Sequence, residues 1–259
     1  MSIPSVFEGS DGRFVATEFG RGPWDPRALH GGAPAALLMR AFEQLPAADD
    51  LMLARVTYEF MRPAPVGALE VRAEVVRPGR RVQLLEASIL ADGTDVVRAR
   101  ALQIKAADAG DFHDGHTPPP PGPEEGRLAE LPLLHRPMFF PDAIEIRFVR
   151  GTWGDGPCTA WFRLQSPIIA GETPSALQRL AAAGDFGNGI SANLSWDEYL
   201  YINPDLTLYV EREPVGEWIG LESETRIARD GIGVAESVLY DERGRVGRAT
   251  QSLLVAPRR

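Results

Sequence analysis

Val56-Thr57-Tyr58-Glu59-Phe60-Met61-Arg62-Pro63-Ala64-Pro65-Val66-Gly67 is the stretch on which the fold turns. Val56, Tyr58 and Phe60 alternate with Thr57 and Glu59, the period of a strand with one buried face. After Gly67 a second alternation begins, with Leu69, Val71, Ala73 and Val75 set against Glu70, Arg72 and Glu74. The pattern then returns about 150 residues later: Leu206, Leu208 and Val210 take the places of Val56, Tyr58 and Phe60, and Arg212-Glu213-Pro214-Val215-Gly216 follows. Ser88-Ile89-Leu90-Ala91-Asp92 corresponds to Ser237-Val238-Leu239-Tyr240-Asp241 at an offset of 149, and Arg98-Ala99 to Arg248-Ala249 at 150. Each match is weak alone. Matches in the same order at an offset constant to one residue indicate a duplicated unit.

Both copies have the same predicted order. A strand comes first, Phe14 to Phe19 in one and Thr159 to Leu164 in the other. A helix follows. In Ala33 to Leu45, the residues Leu37, Leu38, Ala41, Phe42 and Leu45 form one apolar stripe at helical spacing. The second helix starts at Pro174, a residue suited to a first turn, and runs through Leu177, Leu180 and Ala181. Alternating strands come next, separated by turns at Asp92-Gly93, Asp230-Gly231 and Arg243-Gly244. This order specifies an α+β fold, with an antiparallel sheet curled around one helix in each unit. A helix apolar on most sides needs that wrapping. Between the copies, Ala106 to Pro141 contains Pro118 to Pro121, which favour an extended spacer. The organisation read from the sequence is a unit over 1–105, a linker over 106–141 crossing a surface, and a unit over 142–259. The apolar run Leu131 to Phe140 packs the linker's end onto something.

Composition narrows the function. Apolar residues make up 44% and charged residues 24% of the 259, which excludes disorder and fibres. No run approaches the ~18–20 apolar residues of a membrane span. Met1 to Glu8 shows no basic segment followed by an apolar one, and a soluble cytoplasmic protein is expected. With 27 Lys and Arg against 36 Asp and Glu, the net charge of -9 argues against a nucleic-acid partner. Cys158 is alone, so no internal disulfide forms. His113 and His116 fall in a stretch rich in Pro, Gly and Asp without metal-ligand spacing, and no metal or other cofactor is expected. Nucleotide-binding loops, the serine-hydrolase elbow and zinc motifs are missing as well.

His30-Gly31-Gly32 opening an apolar helix, a strand ending Phe60-Met61-Arg62-Pro63 and the Gly79-Arg80-Arg81 turn together resemble a hotdog-fold thioesterase. Asn203-Pro204-Asp205-Leu206-Thr207 and the terminal Thr250-Gln251-Ser252-Leu253-Leu254 make the chain similar to the acyl-CoA thioesterase II and bacterial thioesterase-like double-hotdog proteins. The resemblance implies two tandem hotdog units, an acyl-CoA substrate, a place in fatty acid metabolism and a homodimer or higher oligomer. It also implies hydrolysis without metal or covalent intermediate, by a water held by an Asp, a Ser or Thr and a Gln of the second unit. Matched by motif position, these are Asp205, Thr225 (or Ser223) and Gln251.

The residues themselves bear on that assignment. Gln251 shares a strand face with Gly247, Ala249, Leu253 and Val255, and Ser223 and Thr225 share one with Ile219, Leu221 and Ile227. A buried amide left unpaired costs ~1–3 kcal/mol, so Gln251 needs a partner. At an offset of 150, Asp205 maps to Arg55 and Gln251 to Ala101, while His30-Gly31-Gly32 occurs only in the first copy. One composite site across the two copies explains this complementarity. Asp185, at the end of the second helix, is the competing base that the resemblance implies, because some single-hotdog thioesterases carry their catalytic Asp on that helix; a negative charge is also unfavourable at a helix C-terminus. His30 orients the loop, Gly31 and Gly32 let the acyl carbonyl approach the backbone, and free N–H groups of the helix start hold the oxyanion. Two alternatives stand beside hydrolysis: a non-catalytic acyl-CoA or acyl-carrier binding protein, and a hotdog enoyl-CoA hydratase. Against the hydratase, no His follows Asn203-Pro204-Asp205 in this chain.

Overall fold

The computed structural model describes residues 4–47, 50–108, 110, 118–130 and 137–258. His113, His116, His135 and most of the run from Leu131 lie outside these residues.

In chain order the elements are β1 (Phe7–Ser10), β2 (Arg13–Ala16), α1 (Gly32–Glu43), β3 (Leu51–Phe60), β4 (Ala68–Arg77), β5 (Val82–Ala91) and β6 (Thr94–Lys105). The second half adds β7 (Arg127–Leu128), β8 (Ile144–Arg150), β9 (Cys158–Leu164), α2 (Ala176–Gly184), α3 (Gly187–Ile190), β10 (Tyr199–Ile202), β11 (Asp205–Val210), β12 (Trp218–Ile227), β13 (Ile232–Asp241) and β14 (Gly244–Pro257). All fourteen strands join one sheet in the order β1-β2-β4-β5-β6-β3-β11-β14-β13-β12-β9-β8-β7, with β10 also paired to β14. This is a double hotdog, each half of the sheet curling around its own helix. No helix among the described residues is long and apolar enough to cross a membrane.

The halves meet where β3 pairs antiparallel with β11. Thr57 stands opposite Thr207, and the two differ by 150. On either side Leu206 faces Tyr58 and Leu208 faces Val56, residues that exchange under the same offset. A pseudo-twofold axis therefore passes through the Thr57–Thr207 pair, whose hydroxyls hydrogen-bond at 3.1 Å. Register confirms the duplication elsewhere: Leu85 pairs with Ala101, and Ala235 with Gln251. The counterpart of β3 in the second half is split into β10 and β11 by Asn203-Pro204. At the matching place β3 carries an irregularity between Leu53 and Arg55. Pro204 has no N–H to give the ladder, so the strand breaks there.

The first predicted strand is shorter than read. It ends at Ala16, because the Thr17 hydroxyl caps a tight turn over Glu18–Gly20. In α1 nearly every residue from Gly32 to Phe42 is buried, as its apolar composition requires. Ser175, just after Pro174, accepts the Gln178 N–H at 3.0 Å and caps α2. The two helices run antiparallel. Glu43 at the end of α1 accepts from Ser175 and Gln178 at the start of α2, at 2.5 and 2.7 Å. At the other end a Cβ on Gly32 would lie 2.4 Å from the Ala182 carbonyl oxygen. Only glycine permits that approach.

Leu208 is fully buried beside the axis, with a methyl against Gly184 of α2, while its neighbour Tyr209 is 49% exposed. Leu208→Ala is therefore expected to cost ~2–5 kcal/mol in urea unfolding. Tyr209→Ala is expected to stay within ~0.5 kcal/mol.

Candidate active site

Asp185 is the residue on which the polar groups converge. It is the C-cap of α2 and is 4% exposed. Asn203 Nδ2 donates to its Oδ1 at 2.7 Å, and Gln251 Nε2 donates to the same oxygen and to the Asp185 main-chain carbonyl, each at 3.1 Å. Gln251 Oε1 accepts the Asn188 N–H at 3.0 Å, and Asn188 Nδ2 reaches Asn203 Oδ1 at 3.5 Å. Asn203, Asn188 and Gln251 thus form a network that closes through the Asp185 carboxylate, with the Asn188 main-chain N–H as one link. The buried Gln251 thus has the partners its burial demands.

The other carboxylate oxygen faces the first half. Asp185 Oδ2 lies 3.2 Å from His30 Nδ1, and that nitrogen also accepts the Gly32 N–H at 3.0 Å. A Cβ on Gly31 would meet Oδ2 at 2.6 Å. The imidazole is stacked on Phe186 at 4.2 Å and tilted against Phe139 at 5.4 Å, so it cannot turn freely. With Nδ1 accepting, the neutral ring carries its proton on Nε2. His30 also lines an aromatic cleft with Phe186 and Asn188, the residues beside Asp185 and Gln251.

Burial sets the charges. Desolvation pushes Asp185 up from 3.8 to about 7, against the hydrogen bonds from Asn203, Gly32 and Gln251 that favour its ionised form. The negative end of α2 acts in the same direction as burial. Desolvation also lowers His30 from 6.5 to about 3. Near neutrality His30 is therefore neutral, and Asp185 is the group of the two that titrates. No group of three or more His, Cys, Asp or Glu among the described residues is placed to hold a metal.

The residues singled out in the sequence divide between these surroundings and others. His30, Gly31, Gly32, Asp185 and Gln251 come together across the two halves. Asp205 does not join them. Its side chain accepts the Ser252 N–H at 2.7 Å, and it alternates with the buried Leu206 and Leu208 on β11. It therefore lies on the opposite sheet face from Gln251. Thr225 is buried but bonds Ser191 Oγ at 2.7 Å, and Ser191 in turn donates to the Gly187 carbonyl. Ser223 pairs with Ser237 at 2.7 Å. Both hydroxyls sit under α3 and none reaches Asp185. The α1 start is also occupied: the Gly32 N–H goes to His30 Nδ1, and Ala33 N–H to the His30 carbonyl. Asn203 and Asn188 were missed. Asn203-Pro204 reads as a turn, although an amide just before a strand-breaking proline was the available signal. The far end of the linker contributes too, with Phe139 against His30 and with Met138 and Phe140 lining the cleft.

The fold and this seam define a double-hotdog protein with one composite polar centre. The chain belongs to the acyl-CoA thioesterase family: the model of the family's C-terminal domain matches residues 113–255, more than half of the chain, and that of its N-terminal domain matches residues 20–104. Among solved structures it is similar to a hot dog fold protein of unknown function from Alicyclobacillus acidocaldarius, with 17% identity, 98% and 96% of the two chains covered and a TM-score of 0.75. A candidate thioesterase II from Thermobifida fusca matches with 19% identity, 96% and 95% coverage and a TM-score of 0.73. An acyl-CoA thioesterase II, TesB2, from Mycobacterium marinum matches with 14% identity, 97% and 96% coverage and a TM-score of 0.68. These likenesses show the shared fold. No curated protein matches the chain.

These two shifts have a signature in stability. Between about pH 4 and 7 folded Asp185 keeps a proton that the unfolded chain has released, so its contribution falls as pH rises. His30 acts oppositely between about pH 3 and 6.5, because only the unfolded chain binds its proton there. The two slopes offset from about pH 4 to 6.5. Asp185→Asn keeps an acceptor for Asn203 and Gln251 and presents an N–H to His30, with no charge to bury. Urea melts across pH should show this variant more stable than the parent above pH 7, the gain shrinking to nothing near pH 4.

Proposed function

We propose that the protein hydrolyses acyl-CoA thioesters with Asp185 as the general base. The arrangement of His30, Asn203 and Gln251 around that single carboxylate supports the reading. A water entering from the cleft gives its proton to Asp185 as it attacks the thioester carbon, and the tetrahedral carbon then expels the CoA thiolate. An aspartate of ordinary pKa is a weak base, whereas one near 7 is matched to neutral pH. Two amide donors on Oδ1 fix the carboxylate, so its reorientation costs little during the reaction. The carbonyl oxygen takes the His30 Nε2–H, a neutral donor fixed by stacking, as charge develops on it. Here the amide of Asn203 does what a hydroxyl does in the Asp, Ser/Thr and Gln set of the resemblance. Thr225 and Ser223 secure α3 beneath the centre.

Thiol release from acyl-CoA, followed with a chromogenic disulfide, tests this. Asp185→Asn should lower kcat/KM by ~10²–10⁴, the usual contribution of a positioned base. Asp205→Asn should stay within about threefold, because its carboxylate lies outside the centre. For the parent enzyme, kcat/KM should rise about tenfold per pH unit up to about 7 and level off above it, since the base works deprotonated. Equal losses in the two variants would overturn the assignment. Tight acyl-CoA binding with no thiol released would instead make this a binding protein.

A further inference from the structure

Gly189 has no reason in the fold to be a glycine. Every other glycine among the described residues adopts a positive φ or has a neighbour within 4 Å of where its Cβ would stand. Gly189 does neither: its backbone is helical, within α3, and a Cβ there would meet nothing within 4 Å. It is therefore not the left-handed glycine that closes many helices. Glycine is also the poorest helix former after proline, so an alanine would serve the local structure better.

The rest of α3 shows what lies around this position. A Cβ on Gly187 would stand 2.6 Å from Ser237 Oγ and 3.1 Å from Gln251 Oε1, so that glycine is needed for packing. Asn188 gives its N–H to Gln251, and Ile190 is fully buried. The Ile190 N–H bonds the Phe186 carbonyl at 3.0 Å, which fixes a helical turn from Phe186 onward. Gly189 thus follows Phe186 on one helix face, three residues later. That face is a wall of the cleft, which Phe186 and Gly189 line together with His30, Asn188, Trp153 and Trp196. The free space in the cleft is about 50 Å³. At ~10–15 Å³ for each water this is room for a few waters, and a side chain on Gly189 would take much of it.

We propose that Gly189 sets the width of the passage by which an acyl thioester reaches Asp185, its missing side chain being what admits the substrate. The inference rests on the thioesterase reading for the identity of the guest. A group moving past Gly189 meets His30, which touches Asp185 Oδ2, and Asn188, which bonds Gln251. The thioester itself must pass this point whatever acyl chain it carries, so a side chain here obstructs short and long acyl groups alike. A helix weakened by glycine is the counterpart of that opening, a local loss of stability kept where a ligand needs the space.

Gly189→Ala and Gly189→Leu test this with two readouts that move in opposite directions. Thermal unfolding of Gly189→Ala should shift up by ~1–3 °C, because a better helix former is added and nothing is displaced. Thiol release should nevertheless fall, with kcat/KM on acetyl-CoA and on octanoyl-CoA lowered about 3–10-fold in Gly189→Ala and at least about 100-fold in Gly189→Leu. Octanoyl-CoA binding, read by quenching of tryptophan fluorescence, should weaken at least about tenfold in Gly189→Leu. Turnover and binding within twofold of the parent in either variant would overturn the proposal. So would Gly189→Ala melting several degrees below the parent, since the fold would then be what requires the glycine. A parent protein that binds octanoyl-CoA and releases no thiol would sink the thioesterase reading alone, and the binding loss in Gly189→Leu would still support the passage. A parent that neither binds nor hydrolyses these thioesters would overturn both.

Discussion

Two backbones approach each other here more closely than any Cβ allows, and the polar centre depends on that contact. The start of α1 meets the end of α2 at Gly32 and the Ala182 carbonyl, and one residue earlier Gly31 makes room for the Asp185 carboxylate. Two bulkier residues would separate the helices and with them His30 from Asp185. The antiparallel pairing of the helices, fixed at its far end by Glu43, Ser175 and Gln178, decides which ends meet. The pseudo-twofold through Thr57 and Thr207 brings the halves together, but the glycines let chemistry assemble at the seam.

That seam carries a cost in stability. A carboxylate is buried at the negative end of a helix beside a neutral imidazole, and desolvation outweighs three hydrogen bonds in setting its affinity for protons. The side-chain amides of Asn203 and Gln251 limit the penalty by satisfying Oδ1 without adding charge. A lysine or arginine in their place would pair with the carboxylate and hold it ionised far below neutral pH. Neutral donors orient Asp185 and leave it titratable near neutrality. Function of this kind is commonly bought with local instability.

Much of the architecture was legible because it rests on patterns that a chain displays linearly. Alternation in Val56–Phe60, its return in Leu206–Val210 and the constant offset revealed the duplication, and burial of every alternate residue follows from it. The asymmetry of polar residues also singled out His30-Gly31-Gly32 and Gln251, which the fold brings together around Asp185. Two carboxylates, Asp205 and Asp185, remained in competition on sequence alone. Asp205 begins a strand whose face is decided by the break at Pro204, and a shift of one residue reverses inside and outside. Alternation with Leu206 and Leu208 already placed it on the outer face. Asn203 escaped for the complementary reason: its inward turn depends on the strand interruption, which no periodicity records.

The same interruption explains why one chain carries one such centre. In the first half the strand β3 bends at Ala54 without breaking, and the positions matching Asn203 and Gln251 are Leu53 and Ala101, both buried and apolar. No donor there can orient a carboxylate, and an aspartate introduced into that half would be a buried charge without partners. The first copy instead lends a glycine-opened helix start and a rigid histidine, parts that need no polar ring of their own. Division of labour between the copies thus follows from desolvation. One buried carboxylate can be supported at the seam by donors from one half and a neutral ring from the other, whereas two, facing each other across the axis, would compete for the same protons and the same space.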